Sequence, residues 1–346
     1  MPSVPVMSNS DDPKAFVHRS ETIDNLRWHF VEEGTGPLLI LLHGFPYSWF
    51  GFRKIIRPLA AEGYRVVAVD LPGYGDSDAP ADTARYAHLR IVADLVALVD
   101  RLGESSAILV GHDVGSSIAF AAGQMRPDLF GALVLMNTPQ NLRSPVRPTE
   151  HWNQIRQQTG KTFYQEYFAG LEAVTELNAD IRKSLRAIMF SISGDARGAQ
   201  RWRSMMAPGE GFLDTVVDPP VFPQWMSGAA LEYFVHQYSR NGFFGPLASY
   251  RCRELNWEQC GFLAGMRPSQ PSLFIGGAGD PAIERFTQVY ARLEATLPGL
   301  RGKPLIAGAG HSVVEEAPDE VLRHLTAFLA ATVAKGAAAR RSGSGT

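Results

Sequence analysis

Cysteine, long apolar runs and excess charge are all scarce in this chain. Its 346 residues include only two cysteines, Cys252 and Cys260, so at most one disulfide is available and a disulfide-stapled scaffold is excluded. Such sparing use is expected of a reducing compartment, and the cytoplasm is the expected location. No apolar stretch approaches the roughly 18–20 residues a membrane-spanning helix requires. Lys and Arg total 33 against 35 Asp and Glu, a formal charge of −2, which gives neither nucleic acid nor an anionic membrane surface an electrostatic handle. Met1 to Lys14 has neither a basic nor an apolar region of the secretory kind, so no signal peptide is expected. No internal repeat is visible. What remains is a globular chain long enough for a large core.

The stretch that organises this chain is Ser106-Ala107-Ile108-Leu109-Val110-Gly111-His112-Asp113-Val114-Gly115. A β-branched apolar run ends in Gly-x-Asp-x-Gly and passes at once into a helical pattern. This is the outline of a nucleophile elbow, a tight strand-to-helix turn that lifts one side chain above the end of a sheet. The glycines are needed because the apex backbone is strained and a neighbouring Cβ would collide with it. Here the apex residue is Asp113, where a serine is usual.

Around the elbow, strand and helix alternate. Strands are predicted at Phe16 to Ile23 and Leu26 to Glu32, joined by a turn at Asp24-Asn25. Further strands are predicted at Pro37 to Leu42, Tyr64 to Val69, Ala132 to Met136, Ser272 to Ile275 and Lys303 to Ala307. Helical spacing marks Phe50 to Glu62, Leu89 to Leu102, Ile283 to Leu297 and Asp319 to about Ala334. The alternation predicts a mostly parallel, doubly wound α/β sheet with its site at the carboxyl ends of the strands. It breaks between residues 140 and 268. That segment has no buried-strand pattern, only aromatic-rich helical stretches at His151 to Ala169, Ile181 to Phe190 and Ala229 to Arg240. The expected organisation is a core of residues 1–139 and 269–346 with a helical cap, 140–268, inserted over it. Residues 335–346 are expected to form a disordered tail.

An Asp on an elbow suits displacement at an sp3 carbon, which would leave an alkyl ester of the protein. Hydrolysing that ester requires a base, a water and an oxyanion site. His311 follows the last predicted strand, and Asp280 follows the strand before it. The order nucleophile, acid, histidine is that of α/β-hydrolase triads. Backbone N–H groups of Phe45 and Val114 are the expected oxyanion donors, with Pro46 fixing the Phe45 turn. No metal or organic cofactor is called for.

Taken together, these motifs resemble the soluble epoxide hydrolases of the α/β-hydrolase fold. The likeness covers residues 36–139 and 230–335. It rests on His43-Gly44-Phe45-Pro46-Tyr47-Ser48-Trp49, on the loop from Asp70 to Ser77, on Gly111-His112-Asp113 and on Leu135 to Pro139. Most specific is Asn241-Gly242-Phe243-Phe244-Gly245-Pro246-Leu247-Ala248-Ser249-Tyr250-Arg251, similar to that family's lid segment. The resemblance implies that Tyr250 is one of two lid tyrosines that hydrogen-bond an epoxide oxygen. The second falls in Phe163 to Phe168, either Tyr164, which the motif count favours, or Tyr167. It also implies a pocket near His43, Pro46, Trp49, His112, Tyr167 and Phe244.

One departure is Val114, where many members carry tryptophan. Dehalogenases share the Asp nucleophile, but Val114 and Ser117 match neither of their halide-binding patterns. A serine esterase would need Ser at the apex, and a binding protein without catalysis would have no use for the full set. Trp152, Phe163, Trp202, Phe212, Trp225, Phe243 and Phe244 point to a bulky apolar epoxide, handled by a monomer or homodimer.

Overall fold

The computed structural model describes the backbone of residues 10–343 and the side chains of residues 10–332. Five apolar segments, each too short for a core helix, form the parallel centre of one sheet. They are β3 (Leu38–Leu42), β4 (Arg65–Val69), β5 (Ala107–His112), β6 (Phe130–Met136) and β9 (Ser272–Gly277), with β10 (Leu305–Ile306) at one edge. The other edge is the hairpin of β1 (Val17–Ile23) and β2 (Leu26–Glu33), turned at Asp24 and Asn25, both at positive φ. The order is β1-β2-β4-β3-β5-β6-β9-β10, and among the described residues of this sheet only the pairings made by β2 are antiparallel. Every residue of β3 and β5 is buried, as expected of strands covered on both faces.

Helices α1 (Arg53–Ala61), α2 (His88–Arg101) and α3 (Val114–Met125) pack on this sheet. Between β6 and β9 lie α4 (Pro148–Thr159), α5 (Tyr164–Ala169), α6 (Glu172–Ala179), α7 (Ile181–Ser191), α8 (Gly228–Asn241), α9 (Phe244–Arg251) and α10 (Arg253–Gln259). Two further strands, β7 (Thr162–Phe163) and β8 (Met205–Met206), pair antiparallel within this segment. The expected helix His151 to Ala169 is therefore two helices. Gly160 takes the left-handed conformation at φ 68° and caps α4, and the chain then enters β7. A two-residue strand carries no periodicity, which is why the sequence pattern missed it.

The expected helix Ile283 to Leu297 is likewise broken into Pro281–Arg285, Thr287–Ala291 and Leu293–Thr296. The last helix runs Pro318–Gly343, past the expected end near Ala334. Its extension, residues 335–343, contains three Ala, two Arg and one Lys, all strong helix formers. Of the expected disordered tail, residues 344–346 lie outside the described residues, as do residues 1–9 of the lead-in.

Candidate active site

Asp113 sits between β5 and α3 at φ 54° and ψ −114°, a conformation costly for any residue with a Cβ. The close packing around it accounts for the glycines. A Cβ on Gly44 would lie 2.4 Å from Asp113 Oδ1, one on Gly111 2.2 Å from the Gly115 carbonyl oxygen, and one on Gly115 1.9 Å from that of Leu42. The turn exists only because these three positions lack side chains.

The Phe45 N–H donates to Asp113 Oδ1 at 2.9 Å, and the Val114 N–H also bonds the carboxylate. The Phe45–Pro46 bond is cis. On the other side, His311 Nε2 lies 3.4 Å from Asp113 Oδ2, and its Nδ1 bonds Asp280 Oδ2 at 2.9 Å. The Asp280 side chain is fully buried, whereas that of Asp113 keeps 16% exposure to the cavity above it. One carboxylate is thus sealed behind the imidazole and the other faces an incoming molecule.

Burial alone would lower the His311 pKa. The charge of Asp280 and the hydrogen bond to Asp113 outweigh it and raise it to about 10. Burial would raise the Asp113 carboxyl, but the bond to His311 and its charge hold it below the ordinary value. At neutral pH the resting pair is therefore carboxylate and imidazolium.

Two residues outside the expected set position this machinery. Asn137, at φ 63° after β6, donates from Nδ2 to Asp280 Oδ2 at 2.8 Å and to the Gly310 carbonyl at 3.0 Å. Glu316 accepts N–H bonds from Gly194 at 2.7 Å, Gly310 at 2.9 Å and Ser312 at 3.0 Å. It ties the His311 loop to the turn after α7. Asn137 belongs to a motif visible in the sequence, and its left-handed backbone is a conformation that favours Asn. Glu316 had no signal.

Above Asp113 opens a cavity of about 510 Å³. Tyr164 and Tyr250 both line it, their rings 6.0 Å apart. Gln165 Nε2 donates to the Tyr164 hydroxyl at 3.0 Å. Burial, and next the charge of Asp113, push the Tyr250 phenol well above its ordinary pKa. Burial also raises that of Tyr164, with Arg253 and the Gln165 bond opposing. Tyr167 is not on the cavity wall, and its hydroxyl bonds Glu176 instead.

The other expected pocket residues are also displaced from this wall. Trp49 is fully buried against Phe16, His18 and Phe50. His43 accepts from the Leu71 N–H at 3.0 Å, and His112 Nε2 bonds the His311 carbonyl at 2.7 Å. Burial depresses both imidazoles to about 4, so each stays neutral. Pro46 is buried in its turn, and Phe244 packs under the guanidinium of Arg251. Of the aromatics expected to shape the pocket, Trp152, Phe163, Trp202 and Phe212 do line the cavity, together with Phe45 and Phe168, whereas Trp225 and Phe243 do not.

A sequence model of the alpha/beta hydrolase fold matches residues 37–181. The chain is 37% identical to Epoxide hydrolase A of Mycobacterium tuberculosis over 88% of its length and 95% of that protein's. It is 31% identical to Epoxide hydrolase B of the same organism, over 90% and 98%. The chain belongs to the epoxide hydrolases. Among solved structures, an epoxide hydrolase from an endophytic Streptomyces superposes with a TM-score of 0.87 at 39% identity, covering 91% of this chain and 96% of that one. Epoxide Hydrolase A from Mycobacterium thermoresistibile gives 0.83 at 33% identity, covering 91% and 98%. This epoxide hydrolase thus has the α/β-hydrolase fold and acts on small-molecule epoxides. No described helix is long and apolar enough to cross a membrane.

Proposed function

We propose that this epoxide hydrolase works through an alkyl ester on Asp113. The carrying observation is the convergence of Asp113, His311, Tyr164 and Tyr250 on one cavity. With Oδ1 held by the Phe45 N–H, Oδ2 attacks a ring carbon and the C–O bond of the epoxide breaks. Tyr164 or Tyr250 gives its proton to the departing oxygen, a step for which a positioned acid contributes typically about 10²–10⁴-fold. The ester has no charge, so the imidazolium loses one of the two carboxylates that stabilised it. His311 releases its extra proton, which restores the phenol, and becomes a base.

His311 then takes a proton from water, and the resulting hydroxide attacks Cγ of Asp113. The oxyanion develops against the N–H groups of Phe45 and Val114. Collapse expels the alkoxide, which takes the proton from His311, and a vicinal diol leaves. The carboxylic acid of Asp113 protonates His311, returning the resting pair. Asp280 holds the imidazole by Nδ1 throughout.

We also assign residues 1–139 and 269–346 to the catalytic core and 140–268 to a cap bearing both tyrosines. Cytoplasmic location is supported by Cys252 and Cys260, which are both free. The test is diol formation from a panel of aryl and aliphatic epoxides beside halide release from haloalkanes and haloacetates. Epoxide turnover that disappears in Asp113→Asn is expected. Halide release without epoxide turnover would contradict the assignment.

A further inference from the structure

The cavity above Asp113 has aromatic side chains over part of its wall, but it also carries guanidinium charge that, among the described residues, no carboxylate balances. Arg253 opens α10, two residues beyond the end of α9, and lines the cavity half-buried. Among the described residues it has no hydrogen bond and no ion pair. The adjacent Glu254 cannot neutralise it, because that carboxylate binds Arg147 Nη1 at 2.7 Å and the Thr149 hydroxyl at 3.0 Å.

His88, beside Arg253, is no counter-charge either. Burial, and then repulsion from Arg253, lower its pKa to about 4, so it stays neutral. The acceptor of neighbouring Asn256 is taken by the His88 N–H at 2.7 Å. Two further guanidiniums line the cavity, each placed against an aromatic ring. Arg143 is fixed through Nε to the Trp257 carbonyl and stacks 3.9 Å from the Trp257 ring centroid, and Arg285 lies 5.4 Å from that of Phe163. Neither has a carboxylate partner among the described residues. Among the described residues, the acidic ones on the cavity wall are Asp113 and Asp280, and His311 engages both. Arg253 lies close enough to Tyr164 and Tyr250 for its charge to act on both phenols.

Resting on the epoxide hydrolase assignment, we propose that Arg253 binds an anionic oxygen group on the substrate, so that the preferred epoxides are amphipathic acids. The ring sits at Asp113, the hydrocarbon lies against the aromatic wall, and a carboxylate or phosphate reaches the guanidinium. A guanidinium suits either group because its planar N–H fork matches paired oxygens. Because Arg253 is half-buried in the cavity wall, such a contact is less screened than at an open surface.

The test compares a series of ω-epoxy carboxylates of increasing chain length with their methyl esters, on wild type, Arg253→Gln and Arg253→Lys. At the chain length that spans the two sites, wild type should favour the acid over its ester in kcat/KM by roughly tenfold to hundredfold, the range expected for a charge-assisted hydrogen bond. The acid-to-ester ratio should collapse in Arg253→Gln, be largely restored in Arg253→Lys and fall as salt is raised. Matched ω-epoxy alkyl phosphates show whether phosphate takes the same site. Styrene oxide, which has no anionic group, reports separately on epoxide hydrolysis. A wild-type ratio near or below one at every length, or a ratio that Arg253→Gln leaves intact, would overturn the proposal while styrene oxide turnover still upheld the enzyme assignment.

Discussion

His311 stands between two carboxylates, with Nδ1 2.9 Å from Asp280 Oδ2 and Nε2 3.4 Å from Asp113 Oδ2. The shorter contact is to the residue that stays charged through the reaction, the longer to the one that loses its charge when alkylated. The two steps should therefore come apart by mutation. In His311→Gln the first step survives and the second does not. The protein should gain the mass of one epoxide, on a tryptic peptide containing Asp113, and release almost no diol. Asp280→Asn should slow diol release by roughly 10²–10⁴-fold and accumulate the same adduct. An unmodified Asp113 peptide in both variants after exposure to epoxide would contradict this division.

Tyr164 and Tyr250 should govern the first step. Each single change to Phe is expected to slow adduct formation by about tenfold or more, the value of one strong hydrogen bond. The double change should cost roughly 10²–10⁴-fold. Tyr167→Phe, whose hydroxyl lies against Glu176, should stay within about twofold of wild type. Stopped-flow or rapid-quench measurement of adduct formation separates these cases.

The elbow predicts a stability pattern as well. Gly115→Ala forces a Cβ to 1.9 Å from the Leu42 carbonyl oxygen and should destabilise by roughly 3 kcal/mol or more. Gly131→Ala, with nothing within 4 Å of the new atom, should stay within about 0.5 kcal/mol. Urea unfolding of the two variants checks the contrast.

Stability should also depend on pH through His311. Its pKa of about 10 in the folded chain exceeds the value near 6.5 of an unfolded histidine. The resulting stabilisation is complete below pH ~6.5 and is lost as pH rises through about 10. The Tm advantage of wild type over His311→Gln should therefore shrink across that window. A difference that is constant, or that grows with pH, would contradict an imidazolium held by Asp280 and Asp113.

Much of this site was legible in the chain because its signals are local. Gly111, Asp113 and Gly115 declare the elbow within five residues, and the Asn241–Arg251 segment brings in Tyr250 whole. His311 and Asp280 follow from chain order, since each comes just after a strand. Less visible was whatever depends on distant partners. Asn137 holds Asp280 from 143 positions away, and Glu316 joins the His311 loop to Gly194, 122 positions earlier. The pocket suffered for the same reason. Trp49, His43 and His112 flank the site in sequence, yet their rings are drawn into the core below it, whereas Phe163, Trp202 and Phe212 reach it from the inserted segment. β7 and β8 are too short for a pattern, and only their pairing defines them.

The most direct test of the central claim is isotopic. A single turnover is run in H₂18O with enzyme in excess over epoxide, followed by mass analysis of the diol and of the Asp113 peptide. An ester on Asp113 predicts unlabelled diol and a peptide carrying one 18O, because the diol leaves with an oxygen that came from the carboxylate. Label in the first-turnover diol with an unlabelled Asp113 peptide would mean that water attacks the epoxide directly, and the covalent account would be wrong.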